Sequence, residues 1–194
     1  MLKSFILCLI FSLSAFACKF DIWKLGMPMK DAILLAQEKD VPLMKSAPVY
    51  TMRKHFNWKY LANYEKYREF VYHASLFGKP ARVKLYFTQE SKKLYQVIVR
   101  WSRFHGDKDE FEKTIYALLD RKYGPRKIGM PSNFGDYVFN KYRYWRCDET
   151  AKIIAKRNAA GIELIYIDQS ILNHHKRTRQ KKKLQMIISD APKL

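Results

Sequence analysis

The chain has 194 residues, of which 48% are apolar and 15% aromatic, which is ordinary for a globular protein with a sizeable core. Only 7 glycines and 3 cysteines are present, which excludes a disulfide-rich scaffold and argues against a glycine-rich phosphate loop. The 37 Lys and Arg residues exceed the 18 Asp and Glu residues and give a formal net charge of +19. Such a charge attracts polyanions and anionic membrane surfaces.

Residues 1–17 have the pattern of a secretory signal peptide. Lys3 supplies the positive charge, residues 5–16 form an apolar run, and Ala15-Phe16-Ala17 is a small-x-small cleavage site. A membrane-spanning helix needs roughly 20 apolar residues, and this run is shorter and is followed at once by charged residues. We therefore expect an exported protein, periplasmic or lipid-anchored to a membrane, with no transmembrane span in the mature chain.

Cys18 is the first residue after the cleavage site and has two alternative fates. A lipoprotein signal also ends in small residues before a cysteine that then carries acyl chains, although a branched aliphatic is usual where this chain has Ala15. Without lipid, Cys18 can form a disulfide with Cys147 in an oxidising compartment, because Cys8 is lost with the signal peptide. Lipidation and the disulfide both stay open at this point.

The mature chain opens with a turn and a predicted helix, followed by three predicted strands. Pro28 suits a first helical turn, and Val41-Pro42 ends the helix. Apolar residues recur at helical spacing at Met29, Ala32, Ile33 and Ala36. Residues 43–68 have no clean period and predict irregular chain. The strand candidates, joined by short polar turns in an antiparallel meander, are residues 70–76, 82–87 and 95–101.

A second helix and a second set of strands follow. Gly106-Asp107 predicts a helix start, and Gly124-Pro125 predicts its end. The apolar stripe of this helix consists of Phe111, Ile115, Leu118 and Leu119. Further strand candidates are residues 137–147, 152–156 and 162–167, the last two joined by a predicted hairpin turn at residues 158–161. The tail from Asn173 is basic, and we expect it to be helical or loose.

This order of elements predicts an α+β fold, in which two main helices pack against an antiparallel sheet. We expect a signal peptide at residues 1–17, one domain at 18–172 and a basic C-terminal tail at 173–194. Residues 20–102 and 103–172 share a length and an α-β-β-β order, which suggests two similar halves. No residue-level repeat accompanies this order.

Two short motifs resemble a group of small exported bacterial proteins. Residues 26–33, Gly-Met-Pro-Met-Lys-Asp-Ala-Ile, resemble their G-M-x-x-x-[DE]-x-[IL] helix start. Residues 119–125, Leu-Asp-Arg-Lys-Tyr-Gly-Pro, resemble their L-x-x-K-Y-G-x-P helix end, with the proline one residue early. The small outer-membrane-assembly lipoproteins of the BamE/SmpA type are one such group. The resemblance covers about a tenth of the chain and implies an envelope accessory protein. It transfers no functional residue, and the extra strands do not fit the smaller BamE-type fold.

Residues 174–183 form the most strongly charged segment, without an acidic residue. The candidate anion-binding residues are Lys176, Arg177, Arg179, Lys181, Lys182 and Lys183. Each Lys or Arg near an anionic membrane contributes about 1 kcal/mol, so an electrostatic contact is one interpretation. The alternative is a solvated end of the chain that only aids solubility.

No catalytic residue, metal ligand or cofactor site is assigned. Adjacent histidines such as His174 and His175 seldom point at one ion, and His55, His73 and His105 are scattered. No nucleophile elbow is present. Residues 141–146 interleave cations with aromatics, which in a strand can clamp phosphates and stack bases or sugars. We favour a strand that buries its aromatics and exposes its cations.

The sequence therefore predicts a non-enzymatic envelope protein that binds a protein partner or an anionic membrane surface through its sheet face and basic tail. One alternative is an exported enzyme that acts on an anionic polymer. Another is a secreted binder of polyanions or nucleic acid, although the export signal argues against nucleic acid.

The export prediction is tested by the intact mass of the protein recovered from the producing cell. We expect a chain that begins at Cys18, because cleavage follows Ala17. A disulfide removes two hydrogens from that mass, whereas lipidation adds the mass of the acyl chains. Recovery of protein with residues 1–17 still attached would contradict export.

Overall fold

The structure, a computed structural model, describes residues 18–45, 64–102, 107–129, 142–158 and 161–189. The predicted signal peptide lies outside these ranges. The strands are β1 (Lys19–Phe20), β2 (Trp23–Lys24), β3 (Met44–Lys45), β4 (Glu69–Leu76), β5 (Lys79–Phe87), β6 (Leu94–Ser102), β7 (Lys127–Gly129), β8 (Tyr142–Arg146), β9 (Ala151–Asn158) and β10 (Gly161–Asp168). The helices are α1 (Met29–Glu38), α2 (Lys108–Tyr123) and α3 (Gln169–Ser189), with a 3-10 turn at Tyr64–Lys66.

Eight of the described strands form one antiparallel sheet in the order β3-β4-β5-β6-β10-β9-β8-β7, and β1 pairs with β2 in a small ribbon. From each edge to the middle, the strands follow one another in chain order: β3 to β6 from one edge and β7 to β10 from the other. The two sides of the sheet therefore have the same topology. Each side consists of a helix followed by four antiparallel strands, α1 with β3 to β6 and α2 with β7 to β10. The structure confirms the predicted α+β class and a shared order of the two halves, and it adds a short edge strand to each half, β3 and β7, that the sequence did not predict.

One face of the sheet, which we call the covered face, packs against α1 and α2. Val83, Val99, Leu164 and Ala155 are register partners across four neighbouring strands, and all four are buried. They belong to one continuous core together with the buried faces of α1 and α2. The side-chain period of two in each strand places the next residue of every strand on the opposite face.

That opposite face, which we call the open face, carries a row of charged residues. Arg82, Arg100, Glu163 and Lys156 are register partners across β5, β6, β10 and β9. Glu163 is buried, and its Oε2 accepts hydrogen bonds from Nε and Nη2 of Arg100, the former at 2.8 Å. A buried carboxylate needs such partners. Among the described residues, the buried Nε of Arg82 has no acceptor.

The two main helices begin and end as the sequence predicts. Pro28 precedes α1, whose buried face is Met29, Ala32, Ile33 and Ala36. Asp107 caps α2, where its Oδ1 accepts hydrogen bonds from the backbone N–H groups of Asp109 at 2.7 Å and Glu110 at 3.3 Å. Gly124 follows α2 with a φ of 81°, a conformation that favours glycine. Both motifs that resemble the exported lipoproteins thus lie at helix ends.

Three tryptophan side chains are fully buried, and each indole N–H has an acceptor. The pairs are Trp23 with the hydroxyl of Tyr72 (2.7 Å), Trp101 with the carbonyl of Leu76 (3.3 Å) and Trp145 with Oδ1 of Asp120 (2.8 Å). Since an unpaired buried donor is costly, these bonds orient the largest core side chains. The bond between Trp23 and Tyr72 lies in the half that contains α1, and the bond between Trp145 and Asp120 lies in the half that contains α2.

The strand predicted at residues 137–147 differs in part from the structure. β8 covers Tyr142–Arg146, and residues 130–141 lie outside the described ranges. The expectation that its aromatics all face the core is wrong: Trp145 is buried, whereas Tyr142 and Tyr144 lie on the open face with Arg146. Strict alternation explains this, because Tyr142 and Tyr144 are an odd number of residues from Trp145.

Gly161, at the start of β10, offers a sharp test of this packing. A Cβ added there would lie 1.9 Å from the carbonyl oxygen of Trp101, and the φ of 146° is rarely adopted by other residues. Gly161→Ala should therefore lower the free energy of unfolding by about 3 kcal/mol or more. Urea denaturation measures this change.

Gly78→Ala is the matched control, because Gly78 also has a positive φ but an added Cβ meets no atom within 4 Å. We expect a loss of about 1 kcal/mol there. Equal losses in the two variants would contradict the close approach of β10 to β6.

Candidate anion-binding site

Helix α3 contains the basic tail. It begins directly after β10, where Oδ1 of Asp168 accepts hydrogen bonds from the backbone N–H groups of Ser170 at 2.9 Å and Ile171 at 3.0 Å. An aspartate at this position satisfies donors that have no partner within the helix. The helix runs for 21 residues, so the predicted boundary at residue 173 falls inside one continuous element.

All six candidate anion-binding residues lie on α3, and no acidic residue lies between Gln169 and Ser189. They are exposed apart from the contacts described below. Lys182 forms an ion pair of 2.7 Å with Glu90, in the turn between β5 and β6. No described residue forms an ion pair with the other five.

The cations of α3 lie on two opposite sides of the helix. Leu172, His175, Lys176 and Arg179 recur at helical spacing and line a groove against the sheet. The other side, which we call the outer side, includes His174, Arg177, Thr178, Lys181 and Leu184. One helix therefore presents Arg179 to the sheet and Arg177 away from it.

The space between α3 and the ends of β4, β5 and β6 is the α3 groove, with a volume of about 370 Å³. Its sheet-side wall consists of Arg68, Glu69, Tyr86, Phe87 and Tyr95. The backbone at Arg68 is fixed, because its carbonyl accepts a hydrogen bond of 2.8 Å from the N–H of Phe87. The groove thus combines residues from three strands and one helix.

A bulge in β6 brings Tyr95 into this wall. Phe87 pairs with Leu94 and Tyr86 pairs with Gln96, so Tyr95 is an extra residue without a register partner. Its ring lies 6.4 Å from the Tyr86 ring and 6.3 Å from the His175 ring, between centroids, and it stacks on His175. The bulge therefore positions an aromatic surface directly beneath α3.

The groove has a positive balance of charge. Lys84 Nζ lies 2.5 Å from Oε1 of Glu69, so the one carboxylate in the wall already has a cation beside it. Burial lowers the pKa of His175, and the nearby Arg68 guanidinium lowers it further. His175 is thus held neutral at pH 7, and the net positive charge comes from Arg68, Lys176 and Arg179.

A disulfide joins Cys18 to Cys147, with an S–S distance of 2.10 Å and a Cα–Cα distance of 5.1 Å. It ties the segment before β1 to the end of β8, and thus connects the two halves of the fold. Disulfides are typical of exported, oxidising compartments, so this bond agrees with export of the chain. Lipidation of Cys18 needs the same sulfur atom and excludes the disulfide; it stays an untested alternative.

Neither a metal centre nor a membrane span emerges from the described ranges. No three His, Cys, Asp or Glu residues within them lie close enough to hold a metal ion. None of their helices has a length and apolarity sufficient to cross a bilayer. His55 and His105 lie outside the described residues.

Comparisons of the chain with protein-family models, curated proteins and solved structures found no match. Function is therefore inferred from the chemistry of α3 and the α3 groove. Sequence reasoning found the cations of α3 but missed Arg68, Tyr86 and Tyr95. Only the bulge and the path of α3 bring these three residues beside the helix.

The disulfide leads to a prediction about stability. Cys18 and Cys147 are 129 residues apart, and closing so long a loop restricts the unfolded chain strongly. The double variant Cys18→Ala and Cys147→Ala should lose about 2–5 kcal/mol in free energy of unfolding. Urea denaturation with and without a reducing agent provides the measurement.

The reducing agent should destabilise the wild-type protein and leave the double variant unchanged. A wild-type protein that is insensitive to reduction, with Cys18 carrying acyl chains by mass, would establish the lipidated alternative instead.

Proposed function

We propose that this chain is an exported, non-enzymatic envelope protein that binds an anionic membrane surface through α3. The observation that carries the proposal is a 21-residue helix with six cations, no acid and an exposed outer side. Export is supported by the disulfide and by the signal-peptide pattern. The resemblance of two helix-end motifs to envelope lipoproteins points in the same direction.

Two cations on the outer side are available for this contact. Arg177 and Lys181 do not line the α3 groove, and neither forms an ion pair with a described residue. At about 1 kcal/mol each near an anionic surface, they contribute about 2 kcal/mol together, which is roughly thirtyfold in affinity. The contribution falls as salt screens the charges.

One exposed apolar side chain follows these cations. Leu184 is 58% exposed and lies on the outer side of α3 with Arg177 and Lys181. Burial of this side chain in the headgroup region would add a contribution that salt does not screen.

A protein partner remains a second candidate, because of the open face of the sheet. Arg82 lies directly opposite Arg100, and Glu163 binds only the latter. Arg82 forms no ion pair with a described residue, and an acidic side chain of a partner would supply one at its guanidinium. This candidate predicts binding that depends on Arg82 and not on α3.

The membrane proposal is tested by cosedimentation of the processed, oxidised protein with vesicles. We expect binding to equal parts phosphatidylcholine and phosphatidylglycerol, and much weaker binding to phosphatidylcholine alone. Affinity should fall steeply as salt rises to ~0.15 M. The double variant Arg177→Gln and Lys181→Gln should bind roughly thirtyfold more weakly.

The matched control is Arg121→Gln and Lys113→Gln, which removes the same residue types from exposed positions on α2. It should bind nearly as well as the wild-type protein. Equal losses in the two double variants would show an effect of overall charge and contradict a specific role for α3. Absence of vesicle binding would favour the protein partner.

A further inference from the structure

We propose that the α3 groove binds a soluble phosphate monoester, such as a sugar phosphate, through Arg68, Lys176 and Arg179. This site is separate from the membrane contact, because it lies on the opposite side of α3. Phosphate binding in the groove and membrane binding can therefore fail independently, whereas the choice of a soluble ligand over a lipid rests on the proposed membrane contact.

Three positively charged side chains surround the one small space of the α3 groove. Arg68 comes from the chain just before β4, whereas Lys176 and Arg179 come from α3. No described acid forms an ion pair with any of the three, and Glu69 is already beside Lys84 at 2.5 Å. Cations that face one another across a groove repel, and a bound anion removes that repulsion.

Neutral donors complete the lining of the groove. The hydroxyl oxygen of Tyr86 accepts a hydrogen bond of 3.4 Å from Nζ of Lys84, which leaves its own O–H free to donate. Burial raises the pKa of Tyr95, so its hydroxyl keeps its proton and also donates. Phosphate oxygens accept from both kinds of donor, guanidinium and hydroxyl.

The charge of the groove favours a monoester over a diester. A phosphate monoester carries a charge of about −1.5 to −2 at pH 7 and offers three acceptor oxygens, whereas a diester carries a single negative charge. Three cations therefore match the monoester better. A volume of about 370 Å³ accommodates a small molecule, and the rings of Tyr86 and Tyr95 supply apolar walls for a sugar.

The position of the groove indicates a ligand from solution. When the outer side of α3 lies on a membrane, the groove is separated from the lipid by the width of the helix, about 10–12 Å. A lipid headgroup in that membrane does not reach Arg179, but a soluble phosphate does. Phosphatidic acid is a lipid that carries the same monoester group. An experiment must therefore distinguish binding of phosphatidic acid from binding of a soluble monoester.

The test is isothermal titration of the processed, oxidised protein with glucose 6-phosphate, inorganic phosphate, glucose and dimethyl phosphate. We expect glucose 6-phosphate to bind at least about tenfold more tightly than glucose or dimethyl phosphate, because only the monoester supplies the dianion. Equal binding of the mono- and diester would overturn the proposal.

Arg179→Gln and Arg177→Gln form a matched pair, because they remove the same charge from opposite sides of one helix. Arg179→Gln should weaken glucose 6-phosphate binding about tenfold or more. Arg177→Gln should change it less than about twofold, since that charge is screened across the helix. Equal effects of the two variants would show a general charge effect and overturn the site.

Tyr95→Phe supplies a variant without any change of charge. It should weaken glucose 6-phosphate binding severalfold and leave binding to phosphatidylglycerol vesicles unchanged. Vesicles of phosphatidic acid and phosphatidylglycerol, adjusted to the same surface potential, should bind equally. A strong preference for phosphatidic acid that Arg179→Gln abolishes would overturn the soluble source in favour of the lipid.

Discussion

The pairing of β6 with β10 is the interaction on which the rest of the structure depends. Seven residue pairs, from Gly161 with Ser102 to Ile167 with Gln96, join the two halves at the centre of the sheet. A shift of one residue would turn Glu163 towards the core and Leu164 towards the open face. The pairing also determines where α3 begins, because β10 ends beside the start of β6. The groove between α3 and Tyr95 exists for this reason.

The surplus of positive charge is concentrated on α3 because the acids of the chain are used elsewhere. Several acidic side chains in the sheet and in α2 have basic partners: Glu69 with Lys84, Glu163 with Arg100, Asp120 with Arg126, and Asp109 and Glu112 with Arg157. Exposed pairs of this kind add little stability. They do reduce the positive electrostatic field around the sheet and α2, so an anion is attracted most strongly to α3. Glu90 alone reaches α3, where it pairs with Lys182.

The two sides of α3 have different chemistry although their composition is similar. Lys176 and Arg179 line the same groove as Tyr86 and Tyr95, so they share one small space with residues of the sheet. Arg177 and Lys181 face solvent and act as mobile point charges on long side chains. The first arrangement suits a small ligand of defined shape, and the second suits a diffuse surface. A single helix thus supports a selective site and a nonselective one.

Local sequence determined much of this protein. The period of apolar residues specified α1 and α2, alternation specified most strands, and composition located the basic segment at residues 174–183. Two cysteines follow the predicted signal peptide, which left Cys147 as the one partner for Cys18 within the mature chain. These features depend on near neighbours along the chain, and backbone geometry and solvation impose them directly. Tyr142 and Tyr144 show the limit of such local patterns. Alternation divides the side chains of a strand between two faces, but it does not tell which face is covered by the core.

Only the tertiary structure decided the rest. The pairing of β6 with β10, the bulge at Tyr95 and the course of α3 bring together Arg68, Tyr95 and Arg179, which are far apart in sequence. No local pattern specifies such contacts, because they arise when two sheet halves bury their apolar faces against one set of helices. The sequence by itself thus determined most of the elements and the charge. Long-range packing determined which cations share a groove and which face solvent.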